Sequence, residues 1–196
     1  MKRWLLLLLC AAGPALAQPT GILLVAKPGL ADPNFRESVV LVTRTESATL
    51  GVVLNRPTTM RLANLAPRWP GAERYQEPLY AGGPVMQQVV VALFVAEVPP
   101  SAPAFHVLPR VYLSMHPDNI EPLLERPGSA VRLFAGFSGW APRQLEAEIQ
   151  AGGWYVLRAN EELLFRRDSA GLWTELVQKA QGARALGDFA TRVATR

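Results

Sequence analysis

The chain predicts a single α+β domain with an antiparallel or mixed sheet rather than a doubly wound one. Three observations carry this reading. Short runs rich in Val, Ile and Leu, bounded by Gly, Pro, Asn and Asp, come first and recur along the chain. Helical periodicity is confined to a few short segments that do not alternate regularly with those runs. Residues 18–196 form 179 positions without internal repeat or low-complexity tract, a size that fits one domain and buries about 70% of its unfolded surface.

The first seventeen residues stand apart from this domain. Lys2 and Arg3 form a basic start, and Trp4 to Ala12 form an apolar run of nine. Ala15-Leu16-Ala17 is then a small-x-small cleavage site that leaves Gln18 as the new N-terminus. This is the layout of a secretory signal peptide, and the run is too short to span a bilayer. Gly13-Pro14 would break a buried helix here, and a lipoprotein signal would need a small residue where Leu9 precedes Cys10. Cleavage after Ala17 removes the one cysteine of the chain, excluding disulfides, thiolate catalysis and cysteine-ligated metal. A soluble periplasmic protein is expected. No second apolar segment is long enough to act as a membrane anchor.

In the domain, Ile22 to Ala26, Ser38 to Thr43 and Leu50 to Leu54 read as strands. Met60 to Ala66 is long enough for one or two helical turns, and Pro67 to Pro78 reads as an irregular connection. Gln88 to Val98 is a longer β-branched run closed by Pro99-Pro100. His106 to Ser114 is a further strand in which Pro109 marks an edge or a break. Pro117 to Glu125 reads as a helix, with Ile120, Leu123 and Leu124 on one side. Val131 to Ala135 and Trp154 to Arg158 close the β set. Pro142 to Ala151 has the clearest helix pattern: Pro142 suits the first turn, and Gly152-Gly153 can supply the C-terminal cap. A last helix is expected over Leu172 to Ala180.

Charge narrows the partners. Removal of Lys2 and Arg3 leaves 18 basic against 16 acidic residues, a formal charge of +2. Seventeen of the 20 basic residues are arginine, scattered along the chain, with Arg166-Arg167 the only adjacent pair after residue 17. That is not the electrostatic footprint of a nucleic-acid or membrane surface.

Three motifs stand above this background. In Gly51-Val-Val-Leu-Asn55-Arg56-Pro57-Thr58 a strand runs into a turn, where Pro57 forces Arg56 to be extended and Asn55 takes turn geometry readily. Arg56 is then either presented to a carboxylate or phosphate, or paired locally in an ordinary turn. In Leu79-Tyr80-Ala81-Gly82-Gly83-Pro84-Val85 the paired glycines permit close backbone approach. A phosphate-binding loop would need a lysine and a following helix, whereas Met86 to Val95 reads as strand, so a tight turn is expected. The third motif runs from Phe134 to Ile149, a strand passing through a glycine-rich turn into a helix. Ser138 lacks the G-x-S-x-G frame of a nucleophile elbow because position 140 is Trp, and only His106 and His116 are available as bases. Trp140 reads as a core anchor. Glu146 and Glu148 are two apart and cannot act as a carboxylate pair on a helix.

The order and spacing of these motifs, with the opening Gly21-Ile-Leu-Leu-Val-Ala26-Lys-Pro28 through Ser38-Val-Val-Leu and the later Trp154, resemble the YqgE/AlgH family (UPF0301, DUF179). The resemblance covers Gly21 to Leu176. It implies a compact α+β domain with a partly closed, barrel-like sheet flanked by helices. It brings no catalytic residues, since none is established for the family. Histidines common in the family near residues 44–50 and 89–95 are missing here, Ser138 stands where alanine is common, and members usually lack a signal peptide.

Export bears on function. Family members are sometimes labelled transcriptional regulators, but there is no helix-turn-helix pattern, basic recognition helix or zinc-finger spacing here, and an exported protein does not meet the chromosome. The expected function is a non-catalytic binding or interaction module in the cell envelope, with an unidentified ligand or protein partner and no metal or cofactor. Its ligand surface would combine Asn55, Arg56, Gly82, Gly83, Ser138 and Trp140, if the fold brings them together. A hydrolase is the alternative, with Asp32 and Glu37 as acid or base only if buried.

Overall fold

The computed structural model describes residues 21–44, 48–126, 128 and 130–194, with side chains described as far as residue 183. The expected signal peptide, residues 1–17, lies outside the described residues. Among the described residues, nine strands are arranged in one sheet. They are β1 (Ile22–Ala26), β2 (Val39–Arg44), β3 (Thr49–Val53), β4 (Tyr80–Ala81), β5 (Val85–Val95), β6 (Phe105–Leu108), β7 (Val111–Ser114), β8 (Val131–Trp140) and β9 (Trp154–Arg158). Their order is β6-β7-β5-β8-β3-β2-β1-β9, with β4 lying against β8. Every pairing is antiparallel except that of β4 with β8. Among the described residues, five α-helices flank the sheet: α1 (Leu62–Leu65), α2 (Pro117–Leu124), α3 (Gln144–Gln150), α4 (Glu161–Leu164) and α5 (Leu172–Ala194). This is the expected α+β domain.

The sheet curls on itself. Gly21 N–H donates to Val107 O at 3.0 Å, which ties the start of β1 to β6 at the far end of the strand order. A Cβ on Gly21 would stand 2.7 Å from that oxygen, so only glycine lets the two backbones meet. Among the described residues, the barrel-like closure is thus one backbone hydrogen bond wide, and β9 branches off beside it.

Alternation explains how the sheet buries both faces. Leu23 and Val25 of β1, Val39 and Leu41 of β2, Val91 and Leu93 of β5 and Phe134 of β8 point into one core, covered at its end by Leu164 of α4 and by Leu172 and Leu176 of α5. The intervening residues face outward under helices. Leu24, Val40, Val42 and Val53 pack with Leu145 of α3. Val90, Ala92 and Leu133 pack with Leu62 of α1 and Ile120 of α2. Strands buried on both faces read as continuous apolar runs, which is why they stand out in the sequence. Each buried Leu, Ile or Phe contributes about 1.5–3 kcal/mol.

Several boundaries differ from expectation. The glycine-rich stretch after Ala135 is not a turn: β8 continues to Trp140, five residues further. Gly136 sits at φ +71° because β5 bulges opposite it, with Val85 paired to Phe137 and Val90 to Ala135. A Cβ there would lie 2.7 Å from Val85 O. The same bulge starts β5 at Val85 rather than Gln88. His106 to Ser114 is two strands, broken at Pro109-Arg110. Helix α3 begins at Gln144, beyond Pro142, because Arg143 holds a left-handed φ of +66°. Its C-terminus ends as expected, with Gly152 at φ +85° donating to Ile149 O.

Candidate functional site

The fold brings the three motifs together through their backbones. Leu50 and Gly51 pair with Gly139 and Ser138. Val53 N–H donates to Gly82 O and Gly82 N–H to Ala135 O, both at 2.9 Å. Ala81 N–H donates to Arg56 O at 2.8 Å. The side chains at this junction face inward. Asn55 accepts from Val39 N–H and donates to Glu37 O, each at 2.9 Å. The Arg56 guanidinium donates to Asn34 O and, at 3.1 Å, to Arg36 O. Its half-burial lowers its pKa, which nearby Asp32 opposes. Together Asn55 and Arg56 clamp the 34–39 segment onto the strand end. Ser138 is buried and donates to Gly82 O at 3.4 Å, and a Cβ on Gly83 would collide with its hydroxyl.

Trp140 is also buried, stacked on Phe35 with ring centroids 5.7 Å apart. Its Nε1 and that of Trp154 both donate to Glu148 Oε2 at 3.1 Å, while Glu146 pairs with Arg44 at 3.0 Å on a different side of α3. The histidines do not converge on this junction. His106 stacks on Tyr112, and His116 caps α2 by accepting from Asp118 N–H at 3.3 Å. Among the described residues, no group of three His, Cys, Asp or Glu side chains is placed to hold a metal.

Because Arg56 donates two hydrogen bonds to backbone carbonyls, Arg56→Ala is expected to destabilise the fold by about 1.5–3 kcal/mol. The check is a urea unfolding curve combined with amide exchange at Val39, which should become faster. An unchanged midpoint would show that the clamp contributes nothing.

A second arrangement is formed by side chains far apart in sequence. A cleft of about 490 Å³ is lined by Arg74, Tyr75 and Glu77 from the connection before β4, and by Leu123, Leu124 and Arg126 from the end of α2. Arg132 of β8 and Phe165-Arg166-Arg167 after α4 complete the wall. Two local features place these groups. Gly71, at φ +81°, lies so close to the end of α2 that a Cβ would stand 3.0 Å from Leu124 Cβ, which sets the Arg74–Glu77 segment beside that helix. Asn160 caps the start of α4 by accepting from Leu163 N–H at 2.9 Å, and at the end of this short helix Leu164 O meets Arg132.

Arg132 is the buried cation of this cleft, only 4% exposed. Its Nη1 donates to Leu164 O at 3.0 Å and its Nη2 to Leu54 O at 2.6 Å, and its guanidinium carbon lies 3.8 Å over the Tyr80 ring. Its Nε is a buried donor without a protein partner. Burial lowers the Arg132 pKa, opposed by the neighbouring Tyr80, and burial pushes the Tyr75 phenol well above its ordinary range, so Tyr75 stays protonated. Three of the other arginines pair with carboxylates at the rim: Arg167 with Glu77 at 3.2 Å, Arg166 with Glu175 at 2.6 Å and Arg74 with Glu125 at 3.9 Å. None of these residues was singled out for binding by sequence reasoning. The adjacency of Arg166 and Arg167 was the one visible sign, since Arg74, Arg126 and Arg132 meet them only through the fold.

Comparison with known proteins agrees with this architecture. The AlgH-like family model, DUF179, matches residues 23–185. A UPF0301 protein of Thermobifida fusca is 36% identical over 178 residues, covering 85% of this chain and 89% of that protein. A UPF0301 protein of Myxococcus xanthus is 38% identical over 155 residues, covering 77% of this chain and 84% of that protein. A crystal structure of a Corynebacterium diphtheriae protein superposes with a TM-score of 0.63 at 31% identity, over 83% of this chain and 88% of that one. The solution structure of the AlgH protein of Pseudomonas aeruginosa gives 0.62 at 27% identity, over 75% of this chain and 80% of that one.

Proposed function

Starting from the fact that the chain belongs to the AlgH-like family, UPF0301, we propose that it is a non-catalytic binding module of the cell envelope whose ligand is an anion held in the arginine-lined cleft. One observation carries this reading. Five arginines from four chain segments line a single cleft of about 490 Å³, and Glu77 is the one carboxylate among the described lining residues. A volume of that order suits a small molecule. Arginine forks bind carboxylate and phosphate oxygens bidentately, which gives both charge and orientation. Among the described residues, the lining holds no Ser, Cys, His or Asp to serve as nucleophile or base, which favours binding over catalysis. The envelope location rests on the basic-apolar-small pattern of residues 1–17 and on a domain without cysteine.

The proposal has a direct test. Fractionation of the native host with mass spectrometry of the mature N-terminus is expected to find a periplasmic protein starting at Gln18. Native mass spectrometry of that protein is expected to retain a small anionic ligand, lost in Arg126→Glu. An uncleaved cytoplasmic protein would end the envelope reading and reopen DNA binding. Turnover of a generic esterase, phosphatase or glycosidase substrate that one point mutation abolishes would replace the binding module with a hydrolase.

A further inference from the structure

We infer that the ligand of the arginine cleft is a small organic molecule bearing a diphosphate group, an inference that rests on the anion-binding reading above. Five arginines line the cleft, and Glu77, Glu125 and Glu175 pair with three of them, which leaves a formal charge of +2. A lone carboxylate would leave half of that uncompensated, whereas a diphosphate, carrying about −3, covers it and spreads its charge over two centres.

Geometry favours phosphate over carboxylate. The guanidinium groups reach the cleft from the connection before β4, from the end of α2, from β8 and from the segment after α4. A planar carboxylate offers two oxygens in one plane, but tetrahedral phosphoryl groups offer acceptors in several directions and accommodate forks arriving from several walls. Arg126 has no acidic partner among the described residues, and Arg132, with both Nη atoms held by backbone carbonyls and its Nε buried, acts on an anion through its charge. The rim pairs are exposed, with 86% of the Arg167 side-chain surface accessible, and such pairs hold little energy, so an incoming anion exchanges with them readily. Glu77 is therefore the ligand's competitor for Arg167.

The volume argues for an organic part. A diphosphate alone does not fill about 490 Å³, and the arginines share the wall with Leu123, Leu124, Phe165 and the Tyr75 ring. An apolar or aromatic group has a surface to lie on there while the diphosphate faces the cations.

The test is calorimetric titration of the purified protein at low salt with ADP, inorganic pyrophosphate, orthophosphate and citrate. ADP and pyrophosphate are expected to bind at least about tenfold more tightly than orthophosphate or citrate, with affinity falling as salt rises. The rim double variant Arg126→Glu/Arg167→Glu is expected to lose at least about tenfold in pyrophosphate affinity while keeping its thermal midpoint near that of the parent. Glu77→Gln is expected to tighten pyrophosphate binding about threefold or more by freeing Arg167, a gain that a purely structural ion pair would not produce. Citrate binding as tightly as pyrophosphate, with the same response to the variants, would overturn the diphosphate inference and leave the anion cleft standing. Binding indifferent to both variants, or no binding of any of the four anions, would overturn both.

Discussion

Arg132→Ala is expected to lower folding stability by about 3–5 kcal/mol, a large share of the stability of a domain this size. The side chain is 4% exposed and joins three parts of the fold: β8, on which it lies, the end of β3 through Leu54 O, and α4 through Leu164 O. Truncation strands both carbonyls, each worth about 1–3 kcal/mol when buried without a donor, and removes the cation from the Tyr80 ring. Arg132→Met separates these costs. It restores much of the volume and no longer buries a charge, so about 1–3 kcal/mol of loss is expected, set mainly by the two carbonyls. Urea unfolding of the three proteins measures both. If the alanine and methionine variants lose equally, cavity formation is not part of the effect; if neither loses more than about 1 kcal/mol, the carbonyls find other donors and Arg132 is free to be regarded purely as a binding group.

Gly82→Ala is expected to be worse, above about 4 kcal/mol or enough to prevent folding. A Cβ at this position collides with Gly136 O and stands 3.0 Å from Phe134 Cβ. Neither backbone can yield cheaply. Gly82 is held to β8 through Ala135 O and to β3 through Val53 N–H, and Gly136 is pressed from its other side by the β5 bulge. The matching control is Gly182→Ala on α5, where a Cβ meets nothing within 4 Å. That change is expected to stabilise by about 0.5–1 kcal/mol through helix propensity alone. Thermal midpoints moving in opposite directions for two glycine-to-alanine changes would show that close approach, not glycine content, is what Gly82 supplies.

The strands were readable from sequence because both faces of the sheet are covered. Ile22–Ala26 and Trp154–Arg158 emerge with the expected bounds, since continuous apolar runs need no knowledge of which face is inside. The glycines misled. Gly136 and Gly139 suggest a turn, yet they lie within β8, because the reason for glycine at 136 is a bulge in β5, and no local pattern announces a partner about fifty residues away. β4 and α4, two and four residues long, carry too little periodicity to be seen. The turn at Asn55-Arg56-Pro57 was readable as a turn, and the paired glycines as a junction, but sequence could not say that the Arg56 side chain folds back onto Asn34 and Arg36. The arginine cleft was the least visible feature. Its residues come from positions 74 to 167, and counting scattered arginines measures net charge, not convergence.

The place of β1 in the strand order also constrains when the chain can fold. β1 lies between β2 and β9, so Leu23 faces Leu41 on one side and Leu157 on the other. The first partner is made almost at once during synthesis and the second only near the far end of the chain. An early strand that waits for a late neighbour is a high-contact-order arrangement, which slows folding relative to local hairpins. The N-terminal strand therefore stays incompletely paired until nearly the whole domain has been synthesised.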